Sequence, residues 1–94
     1  MKKIRAIYFQ QQIGQRILFL RKKKKWTQEQ LGKACNIDHT TIWKYEKGEV
    51  SIGAQCLQDI MEALEVDAVK FFRSKVFARV VRPPHLYKNN FQEK

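Results

Sequence analysis

Glycine and proline are scarce in this sequence, with 4 and 2 among 94 residues. That is too few turn formers for an all-β chain of many short strands. Cysteine is equally thin: Cys35 and Cys56 lie 21 residues apart without a CxxC pair, and neither His39 nor His85 stands at a zinc-finger spacing. No metal and no cofactor is expected, and each thiol fits better as a small buried side chain. Nowhere do about 18 consecutive apolar residues occur, so no membrane span is expected. The opening MKKIRAIYF is basic like a signal peptide, but Arg5 interrupts it and Gln10, Gln11 and Gln12 end it before an apolar stretch is complete. A cytoplasmic protein with reduced cysteines is the expectation. Also missing are a Ser/His/Asp set, a carboxylate pair with an accompanying base, and a phosphate-cradling glycine loop, so no enzyme is expected.

What is present is a core's worth of apolar side chains, 44% hydrophobic and 12% aromatic, in a length that suits one small domain. The net charge of +10 favours a polyanionic partner. That charge is segregated. Residues 1–25 hold nine basic residues and no acid, residues 26–69 balance at −5, and residues 70–94 balance at +6. A mildly acidic middle is flanked by two basic segments.

Periodicity fills the middle with short helices. Ile13, Ile17 and Leu20 fall at i, i+4 and i+7, which predicts an amphipathic helix whose last turn holds Lys22 to Lys25, where cations suit the helix dipole. Thr27 with Gln30 three residues on forms a capping box, and Trp26 and Leu31 stand at the two positions of a hydrophobic staple, so a second helix should open at Gln28. Asn36 tolerates the left-handed conformation that ends a helix. Asp38 then caps a third helix that Gly48 stops. On that helix Ile42, Tyr45 and Glu46 should face inward, with His39, Thr40, Trp43, Lys44 and Lys47 mostly outward. Leu57, Ile60, Met61 and Leu64 mark a fourth helix, and Asp67 caps a fifth containing Phe71 and Phe72. The expected fold class is all-α, a five-helix domain over 12–73 with a basic arm at 1–11 and a basic C-terminal extension at 74–94.

The stretch IGQRILFLRKKKKWTQEQLGKACNIDHTTIWKYEKGE, followed by LQDIMEALEVD, resembles the helix-turn-helix domain of phage repressors, Cro and the xenobiotic-response-element (Xre) regulators. Gly14 and Arg21 of the first helix, the TQEQL opening of the second, the Asn36-Ile37-Asp38 turn and the IWKYEKG ending of the third occur in the family's order and spacing. The resemblance covers about 60 residues and implies a repressor-like fold that binds double-stranded DNA, often as a homodimer on two half-sites about one helical turn apart. It also implies that Arg21 and Glu46 form an ion pair tying the first helix to the end of the third.

The residues carry the chemistry such a role needs. The N-terminus of the second helix, with Thr27 and Gln28, is a natural phosphate site: Gln28 can offer its side chain and its backbone N–H group, because a helix start presents unpaired N–H groups to an anion. The third helix would lie in the major groove with His39, Thr40 and Lys44 at base edges: a lysine donates to guanine O6 and N7, and a threonine methyl meets the thymine methyl. Trp43 stands where the family usually has a small or polar residue, and contact with thymine methyls or sugar is the reading preferred over a protein contact. Lys47 suits a phosphate as well as it suits solvent.

Two other departures mark this chain. Lys25 replaces a glycine common in the family between the first two helices. Leu18 and Phe19 put adjacent apolar side chains on an expected surface, which calls for a cover from the flanks, Ile4, Ile7, Tyr8 and Phe9 before the domain or Phe77, Val80, Val81, Leu86, Tyr87 and Phe91 after it, either folded back onto the first helix or joining two subunits. KVFARVVR reads equally as a strand or as a prolonged helix before Pro83-Pro84 stops either. The function expected is a sequence-specific DNA-binding regulator, a repressor. The competing class is a protein-interaction module or antitoxin-type regulator using the fold and the C-terminal tail to bind a partner protein.

Overall fold

The computed structural model describes residues 2–78, with side chains for residues 8–77. Six helices follow one another: α1 (Lys2–Lys23), α2 (Gln28–Cys35), α3 (His39–Lys47), α4 (Ala54–Leu64), α5 (Ala68–Phe72) and α6 (Lys75–Ala78). Among the described residues there is no strand. The all-α reading holds, and a single turn of helix is added past the fifth.

The first helix reaches further back than its apolar stripe marks. α1 runs unbroken from Lys2, so the basic segment before the domain enters it as helix. The physical reason is the absence of a breaker: no glycine or proline precedes Gly14, while Ala6 and the glutamines at 10 to 12 are good helix formers. The segment KVFARVVR begins as the helical turn α6 and not as a strand; Val80, Val81, Leu86, Tyr87 and Phe91 lie outside the described residues, as do the side chains of Ile4 and Ile7.

One core closes the domain. Ile13, Ile17 and Leu20 of α1 meet Leu31, Ile42, Tyr45, Ile60, Leu64 and Phe71, with Ile17, Leu31, Ile42, Ile60 and Phe71 fully buried. Burying a side chain of this size is worth about 1.5 to 3 kcal/mol, so these five hold much of the domain's stability. Where α1 crosses α3 the backbones touch at Gly14, since a Cβ there would fall on the carbonyl oxygen of Tyr45 and within 2.7 Å of that of Glu46. Only glycine fits that crossing.

Polar side chains on the buried side of α1 then collect the rest of the chain. Arg16 Nε and Nη2 donate to the carbonyls of Phe71 and Lys70 at 2.6 and 2.8 Å, capping the end of α5 with a cation where the helix dipole favours one. Gln12 Nε2 donates to the Val76 carbonyl at 2.6 Å, and Gln10 Nε2 reaches the Gly48 carbonyl at 3.2 Å. Burial pushes the Arg16 guanidinium below its ordinary pKa, although its two carbonyl partners suit the charged form.

The cover expected for Leu18 and Phe19 is not what the described tail provides. Phe77 packs with Phe9, Phe71 and Phe72, its ring centroid 6.2, 6.1 and 4.9 Å from theirs. Phe19 stays 56% exposed, its ring lying 5.4 Å from the Arg16 guanidinium. Phe77 joins the aromatic cluster because Gln12 and Arg16 hold α5 and α6 against α1, leaving Phe19 at the rim of that contact beside Ser74 and Val76.

Candidate nucleic-acid interface

Helices α2 and α3 are set against each other by local chemistry. Thr27 Oγ1 accepts from the Gln30 N–H at 3.0 Å and Gln30 Oε1 accepts from the Thr27 N–H at 2.8 Å, the reciprocal capping box that the sequence predicts. Asn36 ends α2 in the left-handed conformation at φ 58°, and the Ile37 N–H donates back to the Gly32 carbonyl at 2.8 Å. Asp38 then starts α3, its carboxylate accepting from the Thr40 N–H at 3.0 Å. Gly48, at φ 74°, stops it, where a side chain would be both strained and pressed against Gln11.

This frame divides α3 sharply. Ile42, Tyr45 and Glu46 are buried; His39, Thr40, Trp43, Lys44 and Lys47 are exposed. The outward five therefore share one face of a helix whose other face is fixed to the core. Trp43 is 42% exposed, and Lys47 Nζ sits 4.6 Å from its ring centroid, a cation resting on an aromatic face. The two expected α3 lysines point outward with no acidic partner among the described residues.

Behind that face lies the ion pair. Arg21 Nε donates to Glu46 Oε2 at 2.6 Å and Nη2 to Oε1 at 3.0 Å, a bidentate contact whose side chains are 9% and 4% exposed. Arg21 Nη1 adds a bond to the Trp26 carbonyl at 2.7 Å. The carboxylate takes one more donor: Gln28 Nε2 reaches Glu46 Oε1 at 2.9 Å. Gln28, expected to point its side chain at a phosphate, instead holds it toward the buried carboxylate. The capping box occupies the Thr27 and Gln30 N–H groups, while the N–H groups of Gln28 and Glu29 belong to the first turn and have no intrahelical acceptor.

The lysine run is not uniform. Lys22, Lys23 and Lys25 are exposed, whereas Lys24 is half-buried, 4.7 Å from the Trp26 ring centroid and 3.2 Å from the Glu65 carboxylate. Lys25, in the place of the family's glycine, adopts φ 63°, the left-handed region that glycine enters freely. A lysine there carries the strain of that backbone conformation.

Sequence reasoning passed over Gln10, Gln12 and Arg16, whose partners lie 38 to 64 residues away. The available signal was that Gln12 and Arg16 share the face of Ile13 and Leu20, which on a surface helix should be apolar. Among the described residues no group of three His, Cys, Asp or Glu side chains is placed to hold a metal ion, and no helix is long and apolar enough to cross a membrane.

A helix-turn-helix family profile, HTH_3, matches residues 17–71. Two transcriptional regulators of the HTH type from Sinorhizobium fredii, y4aM and y4wC, and one from Rhizobium meliloti, R00410, are 40% identical to the chain over 60 residues. The match takes in 64% of this chain but only 42 to 43% of the relatives, so the chain spans under half their length. The restriction-modification controller protein C.Esp1396I superposes with a TM-score of 0.68 at 29% identity, over 78% of this chain and 95% of that one. That protein has also been solved as a tetramer in complex with its natural 35-base-pair operator.

Proposed function

The chain belongs to the HTH_3 helix-turn-helix family, the Xre-type regulators, and on that premise we propose that it binds double-stranded DNA sequence-specifically as a transcriptional regulator, a repressor working in the cytoplasm without a cofactor and without enzymatic activity. The observation that carries this reading is the outward face of α3, where His39, Thr40, Trp43, Lys44 and Lys47 stand exposed on a helix otherwise locked to the core. A groove reader needs such a face, because side chains on a fixed backbone meet base edges without reordering.

In this reading α3 enters the major groove. Lys44 donates to guanine O6 and N7, Thr40 offers its methyl to thymine, and His39 at the helix start meets a base edge as donor or acceptor. Trp43 packs on thymine methyls or sugar, and Lys47, stacked on its ring, reaches a phosphate. The first turn of α2 presents main-chain N–H groups at Gln28 and Glu29 beside Thr27 to a second phosphate. Asp38 is a cap and makes no contact with DNA.

A homodimer on a pseudo-palindromic operator completes the proposal, as two-fold protein symmetry is mirrored in paired half-sites. The operator-bound tetramer of C.Esp1396I supports assembly of this kind. So do the exposed rings of Phe9, Phe19 and Phe72, an apolar surface of the sort that commonly marks a protein contact. Selection from a randomised duplex library, followed by anisotropy with the recovered duplex and a scrambled one across a salt series, tests the whole. Preference of about 1000-fold for the recovered sequence is expected. Equal, weak binding that vanishes with salt would leave only bulk charge at work and reject the regulator.

A further inference from the structure

Trp43 carries the indole on the outward face of α3, 42% exposed, with Lys47 Nζ 4.6 Å from its ring centroid. One face of the ring is therefore taken by an ammonium, which makes no ion pair among the described residues. Side chains on a helix lean toward its N-terminus, so Lys47 lies back over the ring four residues before it. By the same rule Trp43 leans toward the turn of His39 and Thr40, the end of α3 that a recognition helix brings to base edges. The two faces of the ring thus differ in chemistry. The capped face belongs beside anions, and in a DNA groove these are the phosphates along the rim. The open face is bare aromatic surface, and indole adds only one donor, Nε1–H, and no acceptor with which to read a base edge.

We propose that Trp43 reads the C5-methyl group of a pyrimidine, and that the protein's affinity for DNA therefore responds to methylation of cytosine. With Lys47 turned to the phosphates, the open face of the ring is turned to the groove floor, where the apolar group on display is the thymine C5-methyl. A sugar lies on the wall with the phosphates, on the side that the ammonium already holds. Unmodified cytosine carries only hydrogen at C5, whereas 5-methylcytosine places a methyl at the same ring position as thymine. An aromatic face that grips this methyl by contact area does not distinguish the two bases; their difference at C4 is left to other side chains. Burying one methyl against the ring is worth about fourfold in affinity, whichever base bears it.

The inference rests on the regulator reading, and its test separates the two. The full 94-residue chain is titrated against the library-selected duplex with each thymine replaced in turn by deoxyuridine, which removes only the methyl. At least one position in each half-site should weaken binding about fourfold, and that loss should vanish in Trp43→Gln. At the same position a C·G pair and its 5-methylcytosine counterpart are then compared. The methylated duplex should bind the unaltered protein about fourfold more tightly and the variant no more tightly. Melting curves establish that Trp43→Gln is folded at the assay temperature. A second variant, Thr40→Ser, removes the other methyl-bearing candidate on that face while leaving the indole in place, and it should keep both differences. Methylation also alters DNA shape, so the dependence on Trp43 is what decides. A methyl effect that persists in Trp43→Gln, or is abolished by Thr40→Ser, overturns the inference. Deoxyuridine bound as well as thymine at every position overturns it too, being the outcome expected of an indole on sugar or on a protein. A thymine response without a 5-methylcytosine response overturns the sensitivity to methylation. All of these leave the regulator intact. If the unaltered protein itself fails to prefer the selected duplex over a scrambled one, it is the regulator reading that has failed, and the inference falls with it.

Discussion

Removing the Glu46 carboxylate by Glu46→Ala leaves the Arg21 guanidinium in a site where its side chain is 9% exposed, with only the Trp26 carbonyl as partner. A buried charge stripped of its partner costs about 3 to 5 kcal/mol, whereas a wet surface pair would cost under about 1. The two values bracket the question, and the observed burial selects the larger. For a domain of this size the loss lowers the melting temperature by on the order of 20 °C, a large part of the 5 to 15 kcal/mol typical of folded domains. Thermal and urea denaturation followed by circular dichroism read it directly. The companion is the double variant Arg21→Met with Glu46→Met, which removes both charges and fills the space with apolar atoms. It should lose no more than about 2 kcal/mol, for the Trp26 carbonyl and the Gln28 amide that it leaves unpaired, and so fall far short of the sum of the single losses. A Glu46→Ala loss below about 1 kcal/mol, or a double variant as costly as its parts together, would show that the pair is hydrated and the account wrong.

Gly14→Ala should cost about 2 kcal/mol or more in urea denaturation, because the new methyl meets the main-chain oxygens of Tyr45 and Glu46, which α3 cannot move. Lys25→Gly should gain about 0.5 to 1 kcal/mol and raise the melting temperature, relief of the left-handed strain exceeding the entropy cost of glycine in the unfolded chain. Arg16→Met should release the end of α5, speeding amide exchange around Lys70 to Ser74 while exchange in α2 and α3 keeps its protection. In alkali, burial and the Cys56 hydrogen bond push the Tyr45 phenol up, and burial and the Asp59 carboxylate push the Cys35 thiol up. Both groups stay protonated in the fold at pH values where the unfolded chain, near 8.5 for cysteine and about 10 for tyrosine, begins to ionise. Their contribution is complete below those values and is lost as pH rises through the raised folded ones, so stability should decline above about pH 9 and decline less in Tyr45→Phe. A flat pH profile, or the same profile in that variant, removes the burial argument.

Much of the domain was legible because its signals are local. Thr27 with Gln30, Asn36, Asp38, Gly48 and Asp67 act on N–H and C=O groups within a few residues, so the type of residue and its spacing suffice to place them. Ile13, Ile17, Leu20 and the inward face of α3 follow from helical repeat alone. Arg21 and Glu46 came from resemblance, since spacing carries no information about a contact between residues 25 apart. Gln12, Arg16 and Gln28 were opaque for the same reason: a glutamine or arginine looks identical in sequence whether water or a distant carbonyl satisfies it. The beginning of α1 carries no such mark: Ile13, Ile17 and Leu20 define only its second half, and the helix runs back to Lys2 on residues that merely fail to break it.

The bond from Gln12 to the Val76 carbonyl spans 64 residues, and it bears on how the chain acquires its fold. The groups on the inward side of α1 find their acceptors far along the chain: Gln10 at residue 48, Arg16 at residues 70 and 71, Gln12 at residue 76. A nascent chain halted before Val76 therefore carries a long, positively charged helix with unfilled polar groups, and a lone helix is marginal in water. The polar contacts of α1 are completed only by residues 48 to 76, so docking is expected as one concerted event and not as a stepwise addition of helices. Released chains truncated on either side of residue 76, probed by protease, would report that threshold as a sudden rise in resistance.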